Sequence, residues 1–196
     1  EASEINEKET MKEGAVLVKN ADNAMPVPSS ARRVTLFGRA AADPVYRGNS
    51  GGPNMEAQAD RQISFKKALE NHGFTVNSTV YDALAASPVR RVKVAVENDD
   101  GVKSSIGEVP ASFYDSLASS YANDHNDAAI VMFARDAGEG RDLFMNDADG
   151  VSQLALHKNE ADLLKMIKAS GKFGKTIVVI NSAYPMELGF VDDEQY

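Results

Sequence analysis

Short apolar runs recur along this chain of 196 residues and predict its strands. Ala128 to Phe133 and Thr176 to Asn181 show no polar alternation, which is typical of strands buried on both faces. Val34 to Phe37 is a shorter run of the same kind, and Phe74 to Asn77 is interpreted as a further strand. These runs favour a mainly parallel sheet that is covered by helices.

Stretches with helical periodicity separate the strands. Between residues 63 and 73, four side chains fall on one helical face: Phe65, Ala68, Leu69 and His72. This stripe predicts a helix in which the His72 imidazole packs against the core. Helices are also predicted over residues 112–123, with Ser112 as the N-cap, and over residues 158–170, ended by Gly171.

The order of these elements predicts an α/β domain. Residues 34–77 form one strand, helix and strand unit, for which a right-handed crossover in a parallel sheet is the default. We therefore expect a three-layer sandwich, with a mainly parallel sheet flanked by helices, in which residues 1–196 form a single domain. Residues 1–30 are interpreted as a linker helix and a short strand at 14–20. Residues 87–111 are interpreted as a surface excursion with one strand-like patch at 92–96.

Composition removes several classes of function. A formal charge of −8 and few adjacent basic residues argue against a nucleic-acid surface. The absence of cysteine excludes disulfides, a zinc thiolate site and a cysteine nucleophile. No apolar run approaches the roughly 20 residues of a membrane-spanning helix. The compartment stays open, and a first residue Glu1 in place of Met is typical of the interior of a longer protein.

Cofactor and nucleophile motifs are weak in this sequence. The segment from Gly38 to Asp43 follows a predicted strand but lacks the second glycine of a phosphate-binding fingerprint, so no nucleotide cofactor is expected. The three histidines, His72, His125 and His157, are far apart in sequence, and no metal site is expected. A Ser/His/acid triad stays open, although no G-x-S-x-G motif occurs.

Two glycine-containing loops are the best candidates for a functional site. The loop after Phe133 holds Glu139 between Gly138 and Gly140, and loops at the carboxyl ends of parallel strands line the ligand crevice of α/β sheets. A solvated acidic turn is the alternative for this loop. The segment 46–53 holds small residues that allow a ligand to approach the backbone, with flexible filler as the alternative.

Five motifs together resemble the C-terminal α/β sandwich domain of glycoside hydrolase family 3. Their order and spacing cover nearly the whole chain: Glu13 to Asn20, Val34 to Gly38, Tyr46 to Gly52, Arg135 to Asp142, and Thr176 to Asn181 with Pro185 to Glu187. The resemblance implies that the family domain continues beyond Tyr196, so that this chain is a truncated piece of a larger glycosidase without its catalytic barrel.

The resemblance also implies roles for individual residues in a β-glucosidase-like enzyme. Glu139 matches the acid/base of the Gly-Glu-Gly loop, while a TIM-type barrel earlier in the same full-length chain would hold the nucleophile. Ser50 matches a serine that contacts the sugar of a β-linked oligosaccharide or glycoside. Two departures from the family loop are Ala137, where serine is usual, and Leu143, where arginine is usual. Contacts made downstream of Glu139 are therefore less well defined by the resemblance.

A retaining glycosidase needs two carboxyl groups roughly 5–5.5 Å apart across the glycosidic bond. The resemblance supplies one of them, Glu139, because Asp136 and Asp142 share its short loop and are poorly placed to reach the opposite face of the sugar. The alternative function is a non-catalytic α/β module that binds a carbohydrate or a nucleotide through the same two loops.

Overall fold

The computed structural model describes residues 2–46, 62–90, 92–98, 101–135, 145–147, 149–182 and 184–196. Its strands are β1 (Arg33–Phe37), β2 (Thr75–Val76), β3 (Val92–Asn98), β4 (Gly101–Ile106), β5 (Ala128–Arg135) and β6 (Thr176–Ser182). Its α-helices are α1 (Ala2–Gly14), α2 (Arg39–Ala42), α3 (Phe65–Asn71), α4 (Ser78–Ala86) and α5 (Lys158–Ser170). Turns of 3-10 helix cover Ala21–Asn23, Ala111–Ser120 and Gly189–Asp192.

Four strands form a parallel sheet in the order β2-β1-β5-β6. The register pairs Phe37 with Val131 and Arg135 with Ser182, so the carboxyl ends of β1, β5 and β6 lie at one edge. Every residue of β5 is buried, as its unbroken apolar run predicts. The all-parallel sheet with its flanking helices confirms the α/β sandwich.

Alternate side chains of β5 face two separate core layers, because successive side chains of a strand point to opposite faces. One layer packs β5 against α4, the 3-10 helix at 111–120 and α5, through residues that include Val80, Leu84, Tyr114, Val131 and Leu163. The other layer packs β5 against α2 and α3, through residues that include Leu36, Ala41, Phe65, Leu69 and Met132. Helices therefore cover both faces of β5.

The two helices predicted between parallel strands, α3 and α5, are both present, and local residues define their ends. In α3 the Ser64 side chain accepts a hydrogen bond from the Lys67 N–H, which caps the first turn. The helix α5 has the predicted bounds, buries Leu163 on its inner face, and ends at Gly171 in the left-handed conformation.

Three predictions about burial or strand structure are wrong. Residues 15–20 form no strand, since no other described strand pairs with them, and Val16 stays 81% exposed. His72 is exposed rather than packed, because α3 ends at Asn71 and the chain turns away from the apolar stripe. The strand β6 is only half-buried, because in the described sheet it lies at the edge with β5 as its neighbour.

The region between β2 and β5 is more ordered than its sequence predicts. The strands β3 and β4 pair as an antiparallel hairpin, where the sequence predicts one strand-like patch at 92–96. The predicted helix at 112–123 is a 3-10 helix at Ala111–Ser120, with Pro110 rather than Ser112 at the N-cap position and no side-chain cap. The helix α4 has no counterpart in the sequence prediction. No helix among the described residues has both the length and the apolar character needed to cross a membrane.

Candidate active site at the carboxyl edge of the sheet

The strand order reverses between β1 and β5. The chain builds β2 on one side of β1 and later places β5 and β6 on the other side. In open α/β sheets, ligands bind in the crevice outside the carboxyl ends of the strands at such a switch point. The segments that follow β1 and β5 carry Ser50 and Glu139. Both residues lie outside the described residues, so the site is defined here by the residues from which these two segments start.

Arg135, the last residue of β5, is the best-anchored polar side chain at this edge. Its guanidinium forms a bidentate pair with Glu160, with both N–O distances at 2.8 Å. It also donates to three carbonyl oxygens: Ala134 O at 2.9 Å, Gln153 O at 2.6 Å and Ala155 O at 2.7 Å. All five guanidinium N–H groups therefore have an acceptor.

The Arg135 contacts close the base of the segment that carries Glu139. This segment leaves the sheet after Arg135, and the chain returns at Gln153, whose carbonyl accepts from the same guanidinium. Glu160 also accepts a hydrogen bond from the His157 N–H at 2.9 Å, which fixes the carboxylate at the start of α5. Arg135 and Glu160 are 1% and 2% exposed, so their charges compensate each other away from solvent.

A second anchor holds the segment that leads to Ser50. The Asn181 side chain, near the end of β6, accepts from the Val45 N–H at 2.6 Å and donates to the Val45 carbonyl at 3.2 Å. Asn181 is opposite Ala134 in the sheet register. The chain after α2 is thereby held at the carboxyl edge next to the end of β5.

Glu108 is a buried carboxyl group under the same edge. Its oxygens accept hydrogen bonds from the Arg39 N–H at 2.8 and 3.0 Å and from its own neighbour, the Val109 N–H, at 2.9 Å. Burial raises the pKa of Glu108 to about 8, and the nearby Glu160 carboxylate adds to the rise, against the lowering effect of the two N–H donors. The carboxyl group thus carries a proton near neutral pH and fixes the start of the segment after β1.

Close backbone packing lets the chain leave β1 at this point. Gly38 has φ +85°, and a Cβ on it would lie 2.5 Å from the Met132 carbonyl oxygen of β5. The Gly38 N–H donates to the buried Tyr114 hydroxyl at 3.1 Å. A side chain at this position would separate β1 from β5, so glycine is required where the segment toward Ser50 begins.

Sequence reasoning found the two loops but missed the groups that anchor them. Arg135 belongs to the motif that carries the family resemblance, and its place at the end of an apolar run was a usable signal for a buried cation. Glu108 and Asn181 gave no such signal, because their partners Arg39 and Val45 are distant in sequence.

The whole chain was then compared with known proteins. The sequence model of the glycosyl hydrolase family 3 C-terminal domain matches residues 15–195. The comparisons with curated proteins and with solved structures gave no match. The matched range includes β1, β5, β6 and the segments that carry Ser50 and Glu139, and it associates the chain with glycoside hydrolases. The chain belongs to the glycosyl hydrolase family 3 C-terminal domain family.

Proposed function

We propose that this chain is the domain that supplies the acid/base catalyst of a retaining β-glycosidase, similar to a β-glucosidase, with Glu139 as that catalyst. The observation that carries the proposal is the family match across residues 15–195, which includes the Gly138-Glu139-Gly140 motif immediately after β5. The switch point of the sheet, next to the start of this motif, supports it.

In the proposed reaction Glu139 acts twice. It first protonates the glycosidic oxygen while a carboxylate attacks the anomeric carbon from the opposite face. It then accepts a proton from the water that hydrolyses the glycosyl-enzyme. The attacking carboxylate would belong to a TIM-type barrel of the same full-length protein, since Asp136 and Asp142 lie within three residues of Glu139.

The proposal gives the Arg135 anchor a function. A general acid must stay within hydrogen-bond reach of the leaving oxygen, and small displacements of a catalytic group lower the rate strongly. Arg135 precedes Glu139 by four residues, and its five hydrogen bonds fix both the departing chain and the returning chain at Gln153. A fixed base lets a short glycine-flanked loop present its carboxyl group reproducibly.

Ser50 is proposed to contact the sugar nearest the scissile bond. The supporting observation is that the chain leading to Ser50 is held by Asn181 beside the end of β5. In the full-length enzyme we therefore propose that Ser50 and Glu139 act on the same glycoside, Ser50 through one hydrogen bond worth about 1 kcal/mol.

The test uses leaving groups of different basicity in the full-length protein. With Glu139→Ala, we expect hydrolysis of cellobiose to fall by roughly 10²–10⁴, because its alkoxide leaving group needs a proton. A dinitrophenyl glucoside should lose much less in the glycosylation step, because dinitrophenolate leaves without protonation. Azide needs no general base, so it should restore turnover of the glycosyl-enzyme and yield a β-glycosyl azide.

The matched control is Glu194→Ala, which removes an exposed carboxylate from the same domain. It should leave the rates on both substrates unchanged. Equal losses on cellobiose and dinitrophenyl glucoside in Glu139→Ala, without azide rescue, would reject Glu139 as the acid/base. Binding of oligosaccharide by the wild-type protein without any hydrolysis would favour the non-catalytic binding module.

A further inference from the structure

A cluster of possible metal ligands lies beside the Arg135 anchor, and the proposed function makes no use of it. Asp147, Asp149 and His157 each direct one ligand atom into the cluster, and these atoms all lie within 4.8 Å of one another. Two of the residues come from the segment that returns from Glu139, and the third precedes α5. The cluster therefore joins this segment to the helix.

Asp147 is the member that most needs a partner. It is only 3% exposed, and its Oδ1 accepts hydrogen bonds from the Asp149 and Val151 N–H groups, both at 2.9 Å. Its Oδ2 has no hydrogen-bond partner among the described residues. A buried carboxylate oxygen without a partner is costly, and a bound cation removes that cost.

The backbone around Asp147 is already organised to hold this geometry. Its N–H donates to the Val151 carbonyl at 2.8 Å, and its own carbonyl accepts from the Gly150 N–H at 3.1 Å. Asn146 and Ser152 form a β-bridge across the same turn. The Asp147 carboxylate is thus held in a tight turn that backbone hydrogen bonds close.

The donor set selects the class of ion. Calcium and magnesium prefer oxygen ligands, whereas imidazole with carboxylates suits zinc and related first-row metals. Ligand atoms at roughly 2.0–2.2 Å from a tetrahedral zinc ion lie about 3.3 Å apart. To match this spacing, the ligand atoms must approach one another by no more than about 1.5 Å.

We propose that Asp147, Asp149 and His157 bind one divalent transition-metal ion of the zinc type. The ion links residues 147–149 to the start of α5. Because the His157 N–H donates to Glu160, and Glu160 pairs with Arg135, the ion also stabilises the base of the segment that carries Glu139. The existence of this site does not depend on the proposed glycosidase activity.

The test measures metal binding by the 196-residue chain after treatment with a chelator. Titration calorimetry with ZnCl₂ should give saturable binding of one ion per chain, with an accompanying rise in melting temperature. Asp149→Asn changes an exposed side chain and should weaken the zinc affinity about tenfold or more without loss of folding. His157→Gln and Asp147→Asn should weaken it as well.

Two controls carry the same chemical changes elsewhere. Asp82→Asn and His72→Gln alter exposed residues far from the cluster in sequence and should leave the zinc affinity unchanged. Absence of saturable zinc binding by the wild-type chain would overturn the proposal. Equal affinity of the wild type, Asp149→Asn and His157→Gln would overturn it too. CaCl₂ binding tighter than ZnCl₂ binding would overturn the assigned metal class.

Discussion

Two arginine–carboxylate pairs lie at opposite ends of the sheet and differ chiefly in burial. At the start of β1, Arg33 pairs with Asp124 at 2.5 and 2.6 Å, with both side chains about half exposed. At the end of β5, Arg135 pairs with Glu160 at 2.8 Å, with both side chains almost completely buried. Both pairs have two short N–O contacts between the guanidinium and the carboxylate, so their hydrogen-bond geometry alone does not distinguish them.

Burial decides what each pair does. The Arg33 guanidinium lowers the pKa of Asp124 to about 2, but solvent screens a pair that is this exposed. The Arg135 pair has given up its hydration, so each partner depends on the other. Among the described residues, the buried carboxyl and guanidinium groups all belong to the carboxyl end of the sheet: Glu108, Arg135, Asp147 and Glu160. The carboxyl edge, which holds the candidate active site, therefore differs from the opposite edge, where the Arg33–Asp124 pair is exposed to solvent.

The largest expected effect is that of Arg135→Met. This change leaves Glu160 as a buried carboxylate without its cation, so we expect the free energy of unfolding to fall by about 3–5 kcal/mol. Urea unfolding monitored by circular dichroism measures the loss. The matched variant Arg33→Met removes the exposed pair and should cause only a small fraction of that loss.

A double variant tests whether the loss in Arg135→Met comes from the unpaired charge of Glu160. Arg135→Met combined with Glu160→Leu removes both charges and should recover much of the stability lost in Arg135→Met. If the full-length protein is the proposed glycosidase, its activity should not recover with the stability, because the proposed anchor for the Glu139 segment is still missing. A stability loss for Arg33→Met as large as that for Arg135→Met would contradict the role assigned to burial.

The second prediction concerns Glu108 and pH. The folded carboxyl group holds its proton up to about pH 8, whereas the ordinary pKa is 4.5. Between these values the folded chain binds more protons than the unfolded chain, so the free energy of unfolding falls as pH rises. We expect Glu108 to contribute on the order of a few kcal/mol to the free energy of unfolding. This contribution is fully present below pH 4.5 and is lost above pH 8.

Glu108→Gln tests this contribution, because the amide keeps the shape and an acceptor oxygen but does not titrate in this range. Urea unfolding at several pH values from 5 to 8 should give a flatter pH dependence than that of the wild type. Glu194→Gln, at an exposed position, is the control and should keep the wild-type slope. An unchanged slope in Glu108→Gln would show that the carboxyl group is ionised throughout.

The smallest expected effect is that of Asn181→Ala. The variant loses both hydrogen bonds to Val45, and we expect a loss of about 1–2 kcal/mol in the free energy of unfolding. In the proposed full-length glycosidase the Michaelis constant should rise, since the segment toward Ser50, the proposed sugar contact, is no longer held beside β5. Asn71→Ala, at an exposed helix end, should change neither quantity. An unchanged Michaelis constant in Asn181→Ala would show that the contact between Asn181 and Val45 does not affect substrate binding.

Structural elements that depend mainly on neighbouring residues were predicted well from the sequence. The run at 128–133 gave β5, because a strand with no polar alternation must bury both faces. The periodic stretch at 158–170 gave α5 and its terminal Gly171, because helix formation and capping are local. The strand β4 was missed because its polar residues Lys103, Ser104 and Ser105 lack an apolar pattern, and pairing with β3 supplies the order.

The α/β class, the family and the two candidate residues, Glu139 and Ser50, follow from the amino-acid sequence, since these depend on motif order and on local periodicity. Which polar groups hold the segments that carry these residues depends on the packing of the folded chain. Arg135 finds Glu160 across 25 positions, and Val45 finds Asn181 across 136. The pKa of Glu108 likewise depends on burial beneath segments that are distant in the chain. Burial and pairing arise from non-local packing, and local sequence patterns carry no record of which distant groups will exclude water from a charge.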